Sequence, residues 1–311
     1  MALAWFNERG ESEALLRLSV MLDALWFARG LYSEGLQWAE RALARSRPAA
    51  TPARIQVLDG AAMLAILQGD YARAATFLTE SLGLARELGD PFLVGEALAY
   101  TGYLAYRQGN YGEADRLLDE GLRSLRQVEH SGHGAFALLI RGDTALVQER
   151  FDRAALSYRE AIERFQTAGY AWGLSDAQAG LAGVCFCTGD LARAASHYRE
   201  SLERAWELGF PMYVASALLG LGAVAATWQQ PEAGAQLLGA AEEMIDSLGA
   251  PMFPRDQPIR ERGLAALHSA LGSERLLALR EAGRNMSIPQ AVAEAGAVAH
   301  AVLSPGTNEH D

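Results

Sequence analysis

The chain contains no lysine: all 27 of its basic residues are arginine, set against 38 acidic residues for a formal charge of −11. A phosphate loop of the Gly-x-x-x-x-Gly-Lys-Ser/Thr type is therefore excluded. Attraction to nucleic-acid phosphates or anionic lipid, which needs clustered cations, is not expected, and no direct nucleic-acid or membrane binding follows. Cysteine is almost as scarce. Cys185 and Cys187 stand two apart, and on a helix their side chains point about 200° from one another, too far round to bridge, so reduced thiols are expected. No stretch reaches the ~18 consecutive apolar residues of a membrane helix. The start, from Met1 to Glu8, has no basic leader followed by an apolar run, and a cytoplasmic location is expected. Nucleophile elbows, zinc-protease helices and glycine-rich dinucleotide turns are also missing, so neither catalysis nor a cofactor is expected. His130 and His133 have a spacing that two metal ligands can use, but no third ligand accompanies them; they read as solvated loop residues, with no metal expected.

What is present is periodicity. A short signature recurs as Gly30-Leu31-Tyr32, Gly69-Asp70-Tyr71, Gly109-Asn110-Tyr111, Glu149-Arg150-Phe151, Gly189-Asp190-Leu191 and Gln229-Gln230-Pro231, spaced by 39 residues once and 40 four times. A second set of stop signals, Gly89, Gly169, Gly209 and Gly249, keeps the same phase, with Pro91, Pro211 and Pro251 two residues beyond three of them. Each unit reads as two amphipathic helices: Asp90 and Pro91 open one, Gly109 closes it, and Asn110 can cap the next. Small residues recur five after the turn (Gly35, Ala74, Ala114, Ala154, Ala194, Gly234) and seven before it (Ala62, Gly102, Gly142, Ala182, Gly222), where helices must approach closely. Asp23 breaks the second column in the first unit, as in an end repeat. Self-similarity at this period means a solenoid, whose usual work is to present a long surface to a partner.

The order of small residue, turn glycine, aromatic, alanine and small residue, as in Gly102, Gly109, Tyr111, Ala114 and Gly121, resembles the tetratricopeptide repeat, lengthened from its usual 34 residues to 40 over roughly Leu15 to Leu248. A narrower resemblance lies in the phrases from Gln68 to Ala74 and from Ser81 to Asp90. These are similar to the repeat arrays of MalT-like and LuxR-type bacterial transcriptional regulators of the STAND class. Ala4 to Gly10 with Leu25 to Gly35, and Ala235 to Glu242 with Gly249-Ala250-Pro251 and Ser287 to Val292, resemble the entry to and exit from such arrays. The ATPase signature and a helix-turn-helix after Val302 are both missing. The resemblance thus implies the sensor array of such a regulator, either one part of a longer parent protein with ATPase and DNA-binding domains or encoded alone without them.

The expected fold is all-α: a right-handed tetratricopeptide superhelix of about six helix pairs over residues 1–250, a helical cap over 251–303 and a disordered tail over 304–311. Within the cap, helices are expected near 256–271, 273–282 and 287–302. In tetratricopeptide arrays the first helix of each pair lines the groove. That geometry, carried over by resemblance, names Phe27, Gln56, Asp59, Met63, Glu96, Tyr103, Tyr106, Arg107, Phe136, Asp143, Asp176 and Phe186 as groove residues. The set mixes aromatics with acids and has almost no cations. For Tyr103, Tyr106, Phe136 and Phe186 the competing reading is packing between helices. The function implied is binding of a protein, peptide or small-molecule effector, and the alternative is a free-standing scaffold that joins protein partners. Self-association of the acidic array is a third reading.

Overall fold

The computed structural model describes residues 2–126 and 134–304. His130, His133 and the tail beyond Ser304 lie outside the described residues. Among these residues the chain forms α1 (Ala2–Arg9), α2 (Ser12–Ala28), α3 (Tyr32–Arg45), α4 (Pro52–Leu67), α5 (Tyr71–Leu88), α6 (Pro91–Arg107), α7 (Tyr111–Leu125), α8 (Ala135–Val147), α9 (Phe151–Ala168), α10 (Ala171–Cys187), α11 (Leu191–Leu208), α12 (Pro211–Thr227), α13 (Pro231–Leu248), α14 (Asp256–Arg284) and α15 (Ile288–Leu303). They are arranged as an all-α solenoid in two compact units, Met1–Thr144 and Ala145–Asp311.

One turn geometry accounts for the forty-residue phase. After each first helix the chain makes two backbone bonds that satisfy terminal carbonyls: Gly69 N–H to Ile66 O at 3.0 Å and Asp70 N–H to Ala65 O at 2.9 Å, for example. The long bond is repeated by Leu31 to Trp26, Asn110 to Ala105, Arg150 to Ala145, Asp190 to Cys185 and Gln230 to Ala225. The turn needs a left-handed residue, and glycine supplies it four times. Where the sequence departs from glycine the backbone does not: Glu149 (φ 57°) and Gln229 (φ 67°) take the same conformation. A side chain there costs about 1–2 kcal/mol, so Gln229→Gly is expected to raise stability by about 1 kcal/mol, less the extra chain entropy of glycine. Urea unfolding of the variant checks this, and an unchanged midpoint would mean that the turn holds no strain.

Side-chain caps close the starts of several helices. Asp70 and Asp190 accept the N–H groups of Arg73 and Arg193, each at 3.1 Å, and Asp90 accepts that of Phe92 at 2.9 Å. Asn110 sits at its helix start without a side-chain bond, contrary to the capping expected of it. The small-residue columns mark backbone-to-backbone crossings: a Cβ on Gly121 would stand 2.9 Å from Gly95 O, and one on Gly234 would stand 2.8 Å from Gly222 O. In the second unit larger partners fill the gap, with the buried rings of Tyr158 and Tyr198 lying on Gly180 and Gly220.

The first unit places its first helices side by side, α2 against α4 and α4 against α6. In the second unit α10 meets α12 in the same way, and the C-terminal segment packs onto them. Helix α14 breaks at Gly272 (φ 72°), matching the boundary expected between 271 and 273. Its first half lies on α12, with Gly263 against Ala223. Its second half crosses α13 so closely that Gly283 faces the Gln236 carbonyl and Gly239 faces that of Arg280, with no room for a Cβ at either. Arg284 adds bonds to Glu243 (2.8 Å) and Asp246 (2.9 Å). Helix α15 opens with a capping box between Ser287 and Gln290 and packs on α11, α12 and α13. The cap therefore shares one compact unit with the last repeats.

Candidate functional site

In the first unit the side-by-side packing of α2, α4 and α6 leaves a half-open cavity of about 180 Å³ lined by Val20, Asp23, Gln56, Asp59, Gly60, Phe92, Leu93, Glu96 and Tyr100. Each helix contributes one carboxylate. Asp59 is the deepest, 5% exposed, and its Oδ1 accepts the Ser81 hydroxyl at 2.5 Å. Burial raises its pKa well above the usual carboxylate range; the Ser81 bond lowers it, and the charges of Glu96 and Asp23 push it further up. Asp23 is raised to about 6 and Glu96 to about 7, both by loss of hydration. Asp23 reaches its position because residue 60 is glycine: a Cβ there would stand 2.8 Å from Asp23 Oδ1.

Of the twelve residues expected along the groove, Gln56, Asp59 and Glu96 come together here. Tyr103, Tyr106, Arg107 and Phe136 form a second cluster in the same unit. The Tyr103 ring lies 6.2 Å from Tyr106 and 5.6 Å from Phe136, and Arg107 donates to Tyr103 Oη at 2.8 Å. Tyr106 is fully buried and Tyr103 is 4% exposed, so these rings pack between helices. Burial, followed by the neighbouring Tyr103, moves the nearby Tyr32 phenol up to about 12. Phe27 and Met63 are half-buried, and Asp143 is buried.

Asp176 and Phe186 also line no open groove. Both are buried, and Asp176 is paired with Arg255, which sits beside Asp256 just before and at the start of α14. Arg255 is 2% exposed and its Nε lies 3.6 Å from Asp256 Oδ1. Burial raises both carboxyls, and Arg255 pulls them back. The physical reason is that a terminal repeat must cover its last apolar face, and here the cap does so with a buried cation. A separate apolar cavity of about 190 Å³ lies between α13, the start of α12 and α15, against Met244, Leu248, Met286 and Ile288.

Asp23, Phe92 and Tyr100 were not among the expected site residues. Asp23 nevertheless left a signal, an acid in a column otherwise filled by small side chains. Phe92 and Tyr100 left none, because aromatics at helical spacing are as well explained by packing. Both cysteines are free and half-buried, as expected of reduced thiols. Among the described residues no group of three His, Cys, Asp or Glu is placed to hold a metal ion, and no helix is long and apolar enough to cross a membrane.

Comparison with known proteins agrees with this architecture. No family model matches the chain. Over 109 residues it is 32% identical to proteins named "Putative HTH-type transcriptional regulator" in Mycobacterium bovis and in two strains of Mycobacterium tuberculosis, a match covering 32% of the chain. The chain spans only 12% of the length of these relatives. Among solved structures it is similar to a signal-transduction ATPase with numerous domains (STAND) protein with a tetratricopeptide repeat sensor, from Pyrococcus horikoshii. The TM-score is 0.53 at 14% identity, over 85% of this chain and 44% of that one. BtubC from P. vanneervenii aligns at a TM-score of 0.49 and 18% identity, over 83% of this chain and 93% of that one. The fold is thus that of a tetratricopeptide-type helical array.

Proposed function

We propose that the chain is a non-catalytic binding module, the effector- or protein-sensing array of a bacterial transcriptional regulator. The observation that carries this reading is the cavity across α2, α4 and α6. Three successive first helices each bring a carboxylate to one space, Gly60 opens room for that of Asp23, and Phe92 and Tyr100 share the lining. A purely structural interior would avoid three such groups, because burying a carboxylate without compensation is costly. The helical-array likeness and the regulator-named relatives support the same reading. An effector acts by binding one arrangement of the array more tightly than another, and so biases the domains attached to it.

The test is the size and activity of the native gene product, captured from its own host with an antibody raised against this chain. A product several-fold heavier than 33.5 kDa that hydrolyses ATP and binds DNA is expected. A product near 33.5 kDa would instead make the chain a free-standing scaffold.

A further inference from the structure

The acidic cavity of the first unit has a charge balance that points to the chemistry of its occupant. Its nine lining residues include three carboxylates, Asp23, Asp59 and Glu96, and no arginine or histidine. Among the described residues nothing donates a hydrogen bond to, or forms an ion pair with, the carboxylate of Asp23 or Glu96, and lost hydration raises both. Asp59 is almost wholly buried and lines the cavity, and its Oδ1 accepts the Ser81 hydroxyl. Nearby charges acting on Asp59 come from Glu96 and Asp23, both negative. An acidic interior of this kind lacks a cation.

We propose that this cavity binds a small aliphatic diamine, its ammonium groups held by Asp23, Asp59 and Glu96 and its carbon chain lying against Phe92 and Tyr100. The inference rests on the effector-site reading and names the ligand class for that site. A metal ion is disfavoured because the carboxylates do not converge on one point. They are distributed over three helices, which suits charges separated along a chain. A half-open cavity of about 180 Å³ has room for a short-chain diamine such as diaminobutane. Aromatic faces beside the acids add cation–π attraction of about 0.5–2 kcal/mol without excluding the methylenes. A neutral polyol would leave the carboxylates uncompensated, and an anion would be repelled.

The test is isothermal titration of the full chain with diaminobutane at low salt, with butanediol as the neutral isostere, magnesium ion as the inorganic cation and a doubly blocked lysine as the side-chain version of the same chemistry. Saturable binding of the diamine is expected, with none of the diol. A loss of at least about tenfold, equivalent to about 1.4 kcal/mol, is expected in Glu96→Gln and Asp23→Asn. Gly60→Ala tests the geometry with the charge unchanged. Alanine is the better helix former, so the fold is retained while its Cβ displaces the Asp23 carboxylate, and binding should weaken. The proposal is overturned by absence of diamine binding, by equal binding of diol or magnesium, by affinity undiminished in all three variants, or by tighter binding of the blocked lysine. Its failure is separable from that of the functional reading. A product of full regulator size that ignores diamines removes only the ligand assignment, whereas a diamine-binding product of 33.5 kDa removes only the regulatory role.

Discussion

Replacing Arg255 by alanine is expected to cost about 3–5 kcal/mol, because it leaves two buried carboxylates without their cation. Arg255 is 2% exposed and Asp176 and Asp256 are each 5% exposed, so water cannot take over the lost interaction. The loss depends on pH with a definite sign. Burial already lifts both carboxyls above the usual range, and the Arg255 guanidinium is the main group that holds them down. Without the guanidinium the folded-state values rise further above the unfolded ones. The variant then holds protons that the unfolded chain releases, and its stability falls as pH rises through that window. The deficit should therefore be small in mild acid, where both groups are protonated, and full above neutrality. Urea unfolding at several pH values measures it. Adding Asp176→Asn and Asp256→Asn should recover much of the loss, since removing all partners of a buried pair costs less than orphaning one. A deficit independent of pH would show that Arg255 contributes through packing against Phe253, 4.9 Å from its guanidinium, and not through charge.

This network also shows where sequence reasoning stops. The helix pairs, their forty-residue phase and the break at Gly272 were legible because each rests on local chemistry: glycine at left-handed turns, aspartate at caps, small residues at crossings. The membership of the site was legible only in part. Gln56, Asp59 and Glu96 follow from which helix of a pair faces inward. Asp176 follows the same rule and yet is covered, because Arg255 reaches it from 79 residues further along the chain. No periodic pattern encodes that contact. Tyr106 fails for the opposite reason: its position is right, but its ring is drawn under by Tyr103 and Tyr111. Glu149 and Gln229 show the backbone holding its geometry where the signature residue has drifted, so phase outlasts motif.

The uncompensated acids of the first unit should make the ligand-free protein more stable in mild acid than in mild base. Asp23 moves from 3.8 to about 6 and Glu96 from 4.5 to about 7 on folding. A carboxyl whose folded-state pKa is raised binds more protons folded than unfolded, so its stabilising contribution is complete below the unfolded value and disappears as pH climbs through the folded one. Each rise of roughly two units is worth on the order of 3 kcal/mol. The thermal midpoint should therefore decline from about pH 4 to about pH 7. Asp23→Asn and Glu96→Gln should each flatten the decline, leaving the residual slope that Asp59 contributes in the same direction. A wild-type midpoint that stays level across this range would mean that water or a neighbouring group already compensates the acids, which would weaken the case for an exogenous cation. If the slope is present, a bound diamine should reduce it, because an ammonium beside the carboxylates favours their charged forms and lowers the same pKa values that burial raised. Protons released on diamine binding near neutrality, read from titrations in buffers of different ionisation enthalpy, would then link the pH profile and the ligand to the same three side chains.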